Sequence, residues 1–148
     1  MNEQQELTLR KEELTEEPAA TRIPVVLCLD CSGSMDGEPI RELNEAVKLF
    51  MDAIKADEVA AAAAEICVVR FGGIAETLLD FHPVQKQEVP ALTASGVTPM
   101  GAAVNMALDM LQKCKETYRN TGIDYYQPWL ALMTDGQPTD DIEEAVRR

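Results

Sequence analysis

Histidine and basic residues are scarce in this chain. Its 148 residues include one histidine, His82, and 13 lysines and arginines against 26 aspartates and glutamates, giving a net charge of −13. Nucleic acids and anionic membranes are bound by basic surfaces, so we expect neither as a partner. A hydrolase with a serine nucleophile and a histidine base is disfavoured, because His82 lies at the end of a predicted edge strand. The acidic balance permits cation binding and a basic protein partner.

Cysteines are few, and long apolar runs are missing. The four cysteines are scattered, which suits a reducing compartment. Cys28 and Cys31 have the C-x-x-C spacing of a zinc or redox site, but no second cysteine or histidine pair accompanies them. We interpret them as small apolar residues in and beside a strand. No stretch is long enough to span a bilayer, and the N-terminus is acidic. The sequence therefore predicts a cytoplasmic protein.

Strand-like and helix-like segments alternate along the chain. Nearly continuous apolar runs predict buried parallel strands, and apolar residues at helical spacing predict the helices between them. Such alternation is typical of an α/β fold of Rossmann-like topology, an open and mostly parallel sheet with helices on both faces. Residues 1–21 are polar and acidic, and we expect them to form a loosely held tail. The predicted strands cover 24–30, 65–71, 75–81 (antiparallel, at the edge) and 128–134.

Oxygen-bearing side chains follow two of these strands and precede one helix. Asp30, Ser32 and Ser34 form a D-x-S-x-S turn after the first strand, and Asp135 follows the 128–134 strand. Thr98 lies before Pro99 as a candidate helix cap. In an open parallel sheet, ligands bind where the carboxyl ends of the strands meet. We expect these five side chains to converge there, and hard oxygen ligands of this kind favour Mg²⁺.

These motifs resemble those of the von Willebrand factor A domain family. D-x-S-x-S after the first strand, a threonine before a helix, and T-D-G after a later strand form that family's metal-ion-dependent adhesion site. The resemblance extends over about 23–141. The local sequence around Asp30 and Asp135 is most similar to that of the bacterial TerY-like branch, which is associated with tellurium-resistance gene clusters.

The resemblance implies a role for each residue. Ser32 and Ser34 would coordinate the metal directly, Thr98 directly or through water, and Asp30 and Asp135 largely through water. The ion would be Mg²⁺, with Mn²⁺ or Ca²⁺ as alternatives. Neutral hydroxyl ligands leave such an ion electrophilic, and one of its waters can be exchanged for a carboxylate. The implied function is therefore a protein-binding module that accepts an aspartate or glutamate from a partner.

Each residue also has a simpler interpretation, and two other functions stay open. The serines are common hydrogen-bonding residues in turns, Thr98 can be only a cap, and Asp135 precedes a turn glycine. A phosphatase-like enzyme using Mg²⁺ is one alternative, although Ser32 stands where the haloacid-dehalogenase class has a second carboxylate. A metal-free structural assembly domain is the other. We expect binding rather than catalysis.

The resemblance also implies that the domain, over 22–148, lacks the family's last strands and helices. The 128–134 strand would then form an apolar edge of the sheet, a hazard for unwanted pairing. We expect one of three situations: a shortened piece of a longer chain, completion by a second chain, or a homodimer that covers the edge.

Overall fold

A four-stranded sheet forms the centre of the structure, a computed structural model that describes residues 2–15 and 20–134. Short 3₁₀ turns lie at Gly33–Met35 and Val84–Lys86. No helix within those ranges is long and apolar enough to cross a membrane. Thr139 and Asp140 are candidate caps of one further helix in the sequence, and that segment lies outside the described residues. The elements are α1 (Glu3–Thr15), β1 (Ile23–Asp30), α2 (Glu38–Ala56), α3 (Glu58–Ala63), β2 (Ala64–Gly72), β3 (Ile74–Pro83), α4 (Met100–Thr121) and β4 (Trp129–Met133).

The sheet is mostly parallel, in the order β3-β2-β1-β4. β1 pairs in parallel with β2 on one side and with β4 on the other, whereas β3 runs antiparallel to β2. Asp30 pairs with Phe71, and Leu29 pairs with Met133. The carboxyl ends of β1, β2 and β4 therefore lie at one edge of the sheet. The predicted α/β class, with its antiparallel edge strand, is confirmed.

Two apolar clusters cover the two faces of the sheet. Leu27 and Leu29 of β1 pack with the buried face of α2, while Val26 and Cys28 pack with α4 and the end of α1. This alternation follows from the two-residue period of a strand. It also separates the C-x-x-C pair, because Cys28 lies in one cluster and Cys31 in the other, both as free thiols. The helices lie on both faces, as predicted.

Strand β4 is an edge strand of the described sheet and is only partly buried. The apolar run 128–134 predicts a buried strand, but Trp129 is 69% exposed and Leu132 is 40% exposed. Within the described residues β4 pairs with β1 alone, so its outer side has no strand beside it. This agrees with the apolar edge that the family resemblance implied. A second copy or second chain at this edge stays a prediction.

The N-terminal segment is a docked helix rather than the loosely held tail that we expected. Asn2 and Gln5 form reciprocal side-chain bonds to each other's backbone N–H at the start of α1, which is a capping box. At its other end Leu14 is fully buried against the sheet. The sequence pattern does not predict this docking, because α1 has no continuous apolar face and is held chiefly by charged groups.

The strongest of these charged contacts is made by Arg10 of α1. Its guanidinium forms two hydrogen bonds to the carboxylate of Glu65, each 2.5 Å long. The hydroxyl of Tyr118 donates a third, also 2.5 Å, to the same carboxylate. Glu65 is fully buried, and a buried carboxylate is costly unless it is paired and hydrogen-bonded. Arg10 supplies the compensating charge, so α1 completes the core rather than trailing from it.

A second ionic group holds the C-terminal half of α1. Glu13 accepts from Nδ1 of His82 at 2.8 Å and from the Lys86 ammonium at 3.1 Å, and it also contacts Arg10. Burial opposes ionisation of Glu13, but the bonds from His82 and Arg10 outweigh it and lower its pKa to about 2. The bond to Glu13 in turn raises the pKa of His82 above its ordinary value.

These shifts predict how His82→Gln changes stability with pH. Ionised Glu13 stabilises the folded state. This stabilisation is complete above its ordinary pKa of 4.5 and is lost as pH falls toward 2. The stabilisation by protonated His82 is complete below its ordinary pKa of 6.5. It is lost as pH rises through the raised pKa that His82 has in the folded state. Urea unfolding should therefore show the largest loss in His82→Gln between these ordinary values. Because His82 is half exposed, we expect about 0.2–1 kcal/mol.

Lys86→Gln is the matched control for His82→Gln. The pair between Lys86 and Glu13 contains no imidazole, so the loss in this variant should not follow the titration of His82. A His82→Gln difference that is equally large at pH 5 and pH 9 would contradict the charged pair.

Candidate functional site

A tight turn at the end of β1 positions the first three predicted ligands. Asp30 is the last residue of the strand and is fully buried. Its Oδ1 accepts from the backbone N–H of Ser32 at 2.9 Å and from the Ser32 hydroxyl at 2.5 Å. The backbone N–H of Met35 then donates to the carbonyl of Ser32, which closes the 3₁₀ turn. Because a short acidic side chain can bond the backbone two residues on, this sequence favours the turn.

The two serine hydroxyls of the turn lie side by side within hydrogen-bonding distance, and that of Ser32 also contacts the Asp30 carboxylate. Ser32 Oγ and Ser34 Oγ are 3.2 Å apart. Ser32 is buried, whereas Ser34 is exposed. The turn therefore presents one buried and one exposed serine at the carboxyl edge of the sheet. The structure brings these three predicted residues together.

A second loop is bound to this turn through its backbone. The N–H of Ser95 donates to the carbonyl of Cys31 at 2.8 Å, and the N–H of Gly33 donates to the carbonyl of Gly96 at 2.9 Å. The same loop accepts a bond from Gly73, whose N–H lies 3.0 Å from the carbonyl of Val97. Thr98 follows directly and is buried. The loop carrying Thr98 is thus held against the D-x-S-x-S turn, as predicted.

The predicted helix start at Thr98 is wrong by one residue. Helix α4 begins at Met100, and Pro99 stands at its N-cap position. The carbonyl of Thr98 accepts from the N–H of Met100 at 2.8 Å, and the first helical bond runs from Ala103 to Pro99. Thr98 therefore lies in the turn directly before the N-cap residue.

Thr134 is a site residue that the sequence reasoning did not assign. Its hydroxyl donates to Asp30 Oδ2 at 2.5 Å. Both carboxylate oxygens of Asp30 are therefore engaged, one by the turn and one by the end of β4. The signal was present, because Thr134 directly follows a strand parallel to β1. This threonine begins the T-D-G motif, in which the family resemblance gives a metal-binding role to Asp135 alone.

Asp135, the fifth predicted ligand, lies outside the described residues. Within the ranges 2–15 and 20–134, no group of three or more histidine, cysteine, aspartate or glutamate side chains could hold a metal ion. The candidate set is of a different kind, because it consists chiefly of hydroxyls. Four of its five members, Asp30, Ser32, Ser34 and Thr98, lie on two joined loops.

The spacing of the hydroxyls can be compared with what Mg²⁺ requires. Octahedral Mg²⁺ binds oxygen at about 2.0–2.1 Å, so two neighbouring ligands lie about 2.9 Å apart. The 3.2 Å between Ser32 Oγ and Ser34 Oγ is close to that value. The oxygen chemistry and the spacing of the residues present therefore fit such an ion.

The charge of Asp30 influences its neighbour Cys31. Burial raises the pKa of the Cys31 thiol, the nearby guanidinium of Arg70 opposes the rise, and the carboxylate of Asp30 adds to it. Arg70 is itself paired with Glu76 at 2.9 Å. The thiol therefore stays protonated at neutral pH and is a poor nucleophile. The site offers a carboxylate and hydroxyls, but no activated nucleophile among the residues described here.

Comparison with known families finds one domain model that matches most of the chain. The model of the von Willebrand factor type A domain matches residues 25–148. Helix α1 lies outside this range.

Solved structures of similar fold include domains from bacteria and archaea. The vWF domain of the type V pili tip protein Mfa5 from Porphyromonas gingivalis is 21% identical, with a TM-score of 0.63 over 80% of this chain and 39% of that chain. The ArnB paralog VWA2 from Sulfolobus acidocaldarius is also 21% identical, with a TM-score of 0.54 over 82% of this chain and 29% of that chain. At this identity the likeness shows the fold alone.

A curated sequence relative has a different kind of name. A protein called 2-aminoethylphosphonate–pyruvate transaminase, from Lysinibacillus sphaericus, is 26% identical over 124 residues. The alignment covers 84% of this chain and 31% of that protein. The chain thus spans less than two fifths of each of these relatives, so their activities do not carry over to it.

Close backbone packing around Gly72 predicts a severe effect of Gly72→Ala. A Cβ at this position would lie 2.2 Å from the carbonyl oxygen of Cys31 and 2.8 Å from that of Ser95, so both loops of the site would have to shift. We expect a loss of about 2 kcal/mol or more in the free energy of unfolding, measured with urea.

Gly33→Ala is the matched control. Its Cβ would meet nothing closer than 3.5 Å, so we expect its stability to stay close to that of the wild type. Equal stability of Gly72→Ala and Gly33→Ala would show that the two loops are not packed as described.

Proposed function

This chain belongs to the von Willebrand factor type A domain family, and we propose that it is a metal-ion-dependent protein-binding module. Domains of this family commonly act in protein interaction. The finer proposal is that Asp30, Ser32, Ser34, Thr98 and Asp135 hold Mg²⁺, with Mn²⁺ or Ca²⁺ as alternatives, and that a partner supplies an aspartate or glutamate.

One observation carries this proposal. The two hydroxyls of the turn lie 3.2 Å apart, and one of them bonds a fully buried carboxylate whose oxygens are both hydrogen-bonded. An aspartate held in this way is oriented by its neighbours and is well suited to accept hydrogen bonds from metal-bound water. The Ser32 hydroxyl donates its proton to Asp30, and a hydroxyl oxygen that donates in this way keeps lone pairs with which it could contact the ion.

Each residue of the proposed metal site would have a separate role. Ser32 and Ser34 would contact the ion, Asp30 would orient Ser32 and balance charge, and Thr98 would approach from the second loop. When bound, the ion supplies an electrophilic position for a carboxylate. The exposure of Ser34 leaves this position open to another protein. The net charge of −13 means that such a partner would combine its acidic contact residue with a basic surround.

We infer a binding role rather than catalysis on chemical grounds. The thiol beside the site is protonated, and His82 lies on β3 where it pairs with Glu13 of α1. No lysine adjoins Thr98 or Asp135 in the sequence, as the phosphatase alternative would require. A metal-free assembly role is the other alternative, and metal titration separates it from our proposal.

The cellular setting stays a prediction. The amino-acid sequence of the two motifs suggests the TerY-like branch and a bacterial tellurium-resistance system. The four buried free thiols are consistent with the proposed cytoplasmic location.

Calorimetric titration tests the metal site directly. We expect the wild type to bind Mg²⁺ or Mn²⁺ and Ser32→Ala/Ser34→Ala to bind roughly tenfold more weakly or worse, because two oxygen ligands are removed. Ser95→Ala is the matched control, since it removes an exposed hydroxyl from the adjoining loop and keeps the backbone bond to Cys31. Equal binding by all three proteins would refute the site.

A phosphatase assay tests the absence of catalysis. With p-nitrophenyl phosphate and Mg²⁺ we expect no hydrolysis above the rate of the metal alone, because no nucleophile is activated beside the site. Magnesium-dependent turnover that disappears in Asp30→Asn would replace the binding proposal with the enzymatic one.

A further inference from the structure

Two exposed aliphatic side chains lie on the loops that border the D-x-S-x-S turn. Ile74 is 64% exposed and Val97 is 57% exposed. The other large apolar side chains exposed within the described ranges lie on α1, α2 and α3 or in the segment 126–132. Single exposed apolar residues are normal on a protein surface. Ile74 and Val97 differ from these, because backbone contacts place both of them beside the candidate metal site.

A backbone hydrogen bond links Val97 to the turn that carries Ser34. The N–H of Gly33 donates to the carbonyl of Gly96 at 2.9 Å. Ser34 directly follows one residue of this bonded pair, and Val97 directly follows the other. An exposed serine and an exposed valine therefore lie on adjoining loops at the carboxyl edge of the sheet.

The contact between the loops of the two aliphatic residues is equally close. The N–H of Gly73 donates to the carbonyl of Val97 at 3.0 Å, and Ile74 directly follows Gly73 as the first residue of β3. Gly96 has a φ of 81°, and a Cβ there would lie 2.5 Å from the backbone nitrogen of Gly73. Because the backbones pack this closely, Ile74 and Val97 are held on neighbouring segments. We call these two residues the apolar rim.

The chain on the other side of the turn is acidic. Asp36 and Glu38 are exposed, and they follow Ser34 on the way into α2. A partner in contact with Ser34 would thus meet aliphatic side chains on one side and carboxylates on the other. Apolar contacts that exclude water strengthen binding, whereas carboxylates repel a second acidic group. The surroundings of the site therefore distinguish between acidic partners.

We propose that the apolar rim is part of the partner-binding surface, and that the partner is a protein loop whose acidic residue is accompanied by a large apolar side chain. This inference rests on the metal-dependent binding proposed above and adds a chemical class of partner to it. The bound ion would select the carboxylate, and Ile74 and Val97 would select its apolar neighbour. Asp36 and Glu38 would disfavour a second acidic residue on their side of the turn.

Peptide selection tests the apolar rim when no partner is known. The probe is a phage-displayed library of short peptides with a fixed central aspartate, selected on the chain in the presence of Mg²⁺. We expect selected peptides to carry leucine, isoleucine or phenylalanine near the aspartate roughly threefold more often than the unselected library, because burial of such a side chain strengthens binding. In Ile74→Thr/Val97→Thr this enrichment should disappear, since threonine keeps the β-branched shape but reduces the apolar contact area.

Val59→Thr is the matched control for the double variant. Val59 is 80% exposed on α3, which precedes the start of β2 and so lies at the opposite edge of the sheet from the metal site. This variant makes the same kind of change far from the rim, and we expect it to select the same apolar peptides as the wild type.

Titration with Mg²⁺ separates this inference from the metal site on which it rests. The wild type and Ile74→Thr/Val97→Thr should bind the ion equally well, because neither side chain offers a ligand. Absence of Mg²⁺ binding by the wild type would overturn both proposals. If the ion binds, the inference about the rim alone would be refuted by peptides without an apolar preference, by the same preference in the double variant, or by failure to select any peptide.

Discussion

The carboxylate of Asp30 is buried at the end of the central strand, and the surrounding chain is arranged to satisfy it. Its two oxygens accept bonds from the turn after β1 and from Thr134 after β4, which joins two parallel strands at one edge. Backbone hydrogen bonds to the 95–97 segment hold this turn in place. The positions of the serine hydroxyls, and of the loop carrying Thr98, follow from this arrangement.

A second buried carboxylate organises the opposite end of the sheet. Glu65 draws together β2, α4 and α1 through Tyr118 and Arg10. The two ends differ in how the acid is compensated. Asp30 is bonded by hydroxyls and backbone N–H, which leaves its environment suited to a cation, whereas Glu65 is neutralised by a guanidinium and is suited to docking a helix.

The strands and helices around the site could be predicted because their signals are local. The apolar run before Asp30 predicts a buried strand, and the placement of Asp30 at a shared edge follows from parallel topology. The role of Thr134 depends on its register beside Asp30, and the docking of α1 depends on Arg10 meeting a carboxylate 55 residues away. Neither contact leaves a periodic pattern. The partial exposure of β4 likewise depends on which strands pair beside it, which apolar content alone does not reveal.

The central claim is that the two hydroxyls of the β1 turn bind a metal ion. Anomalous diffraction from a crystal soaked in Mn²⁺ tests it most directly, because the ion is located rather than inferred. We predict a strong peak within bonding distance, about 2.2 Å, of both Ser32 Oγ and Ser34 Oγ. The account would be contradicted if saturating Mn²⁺ left this position empty, or if the ion bound only elsewhere on the acidic surface.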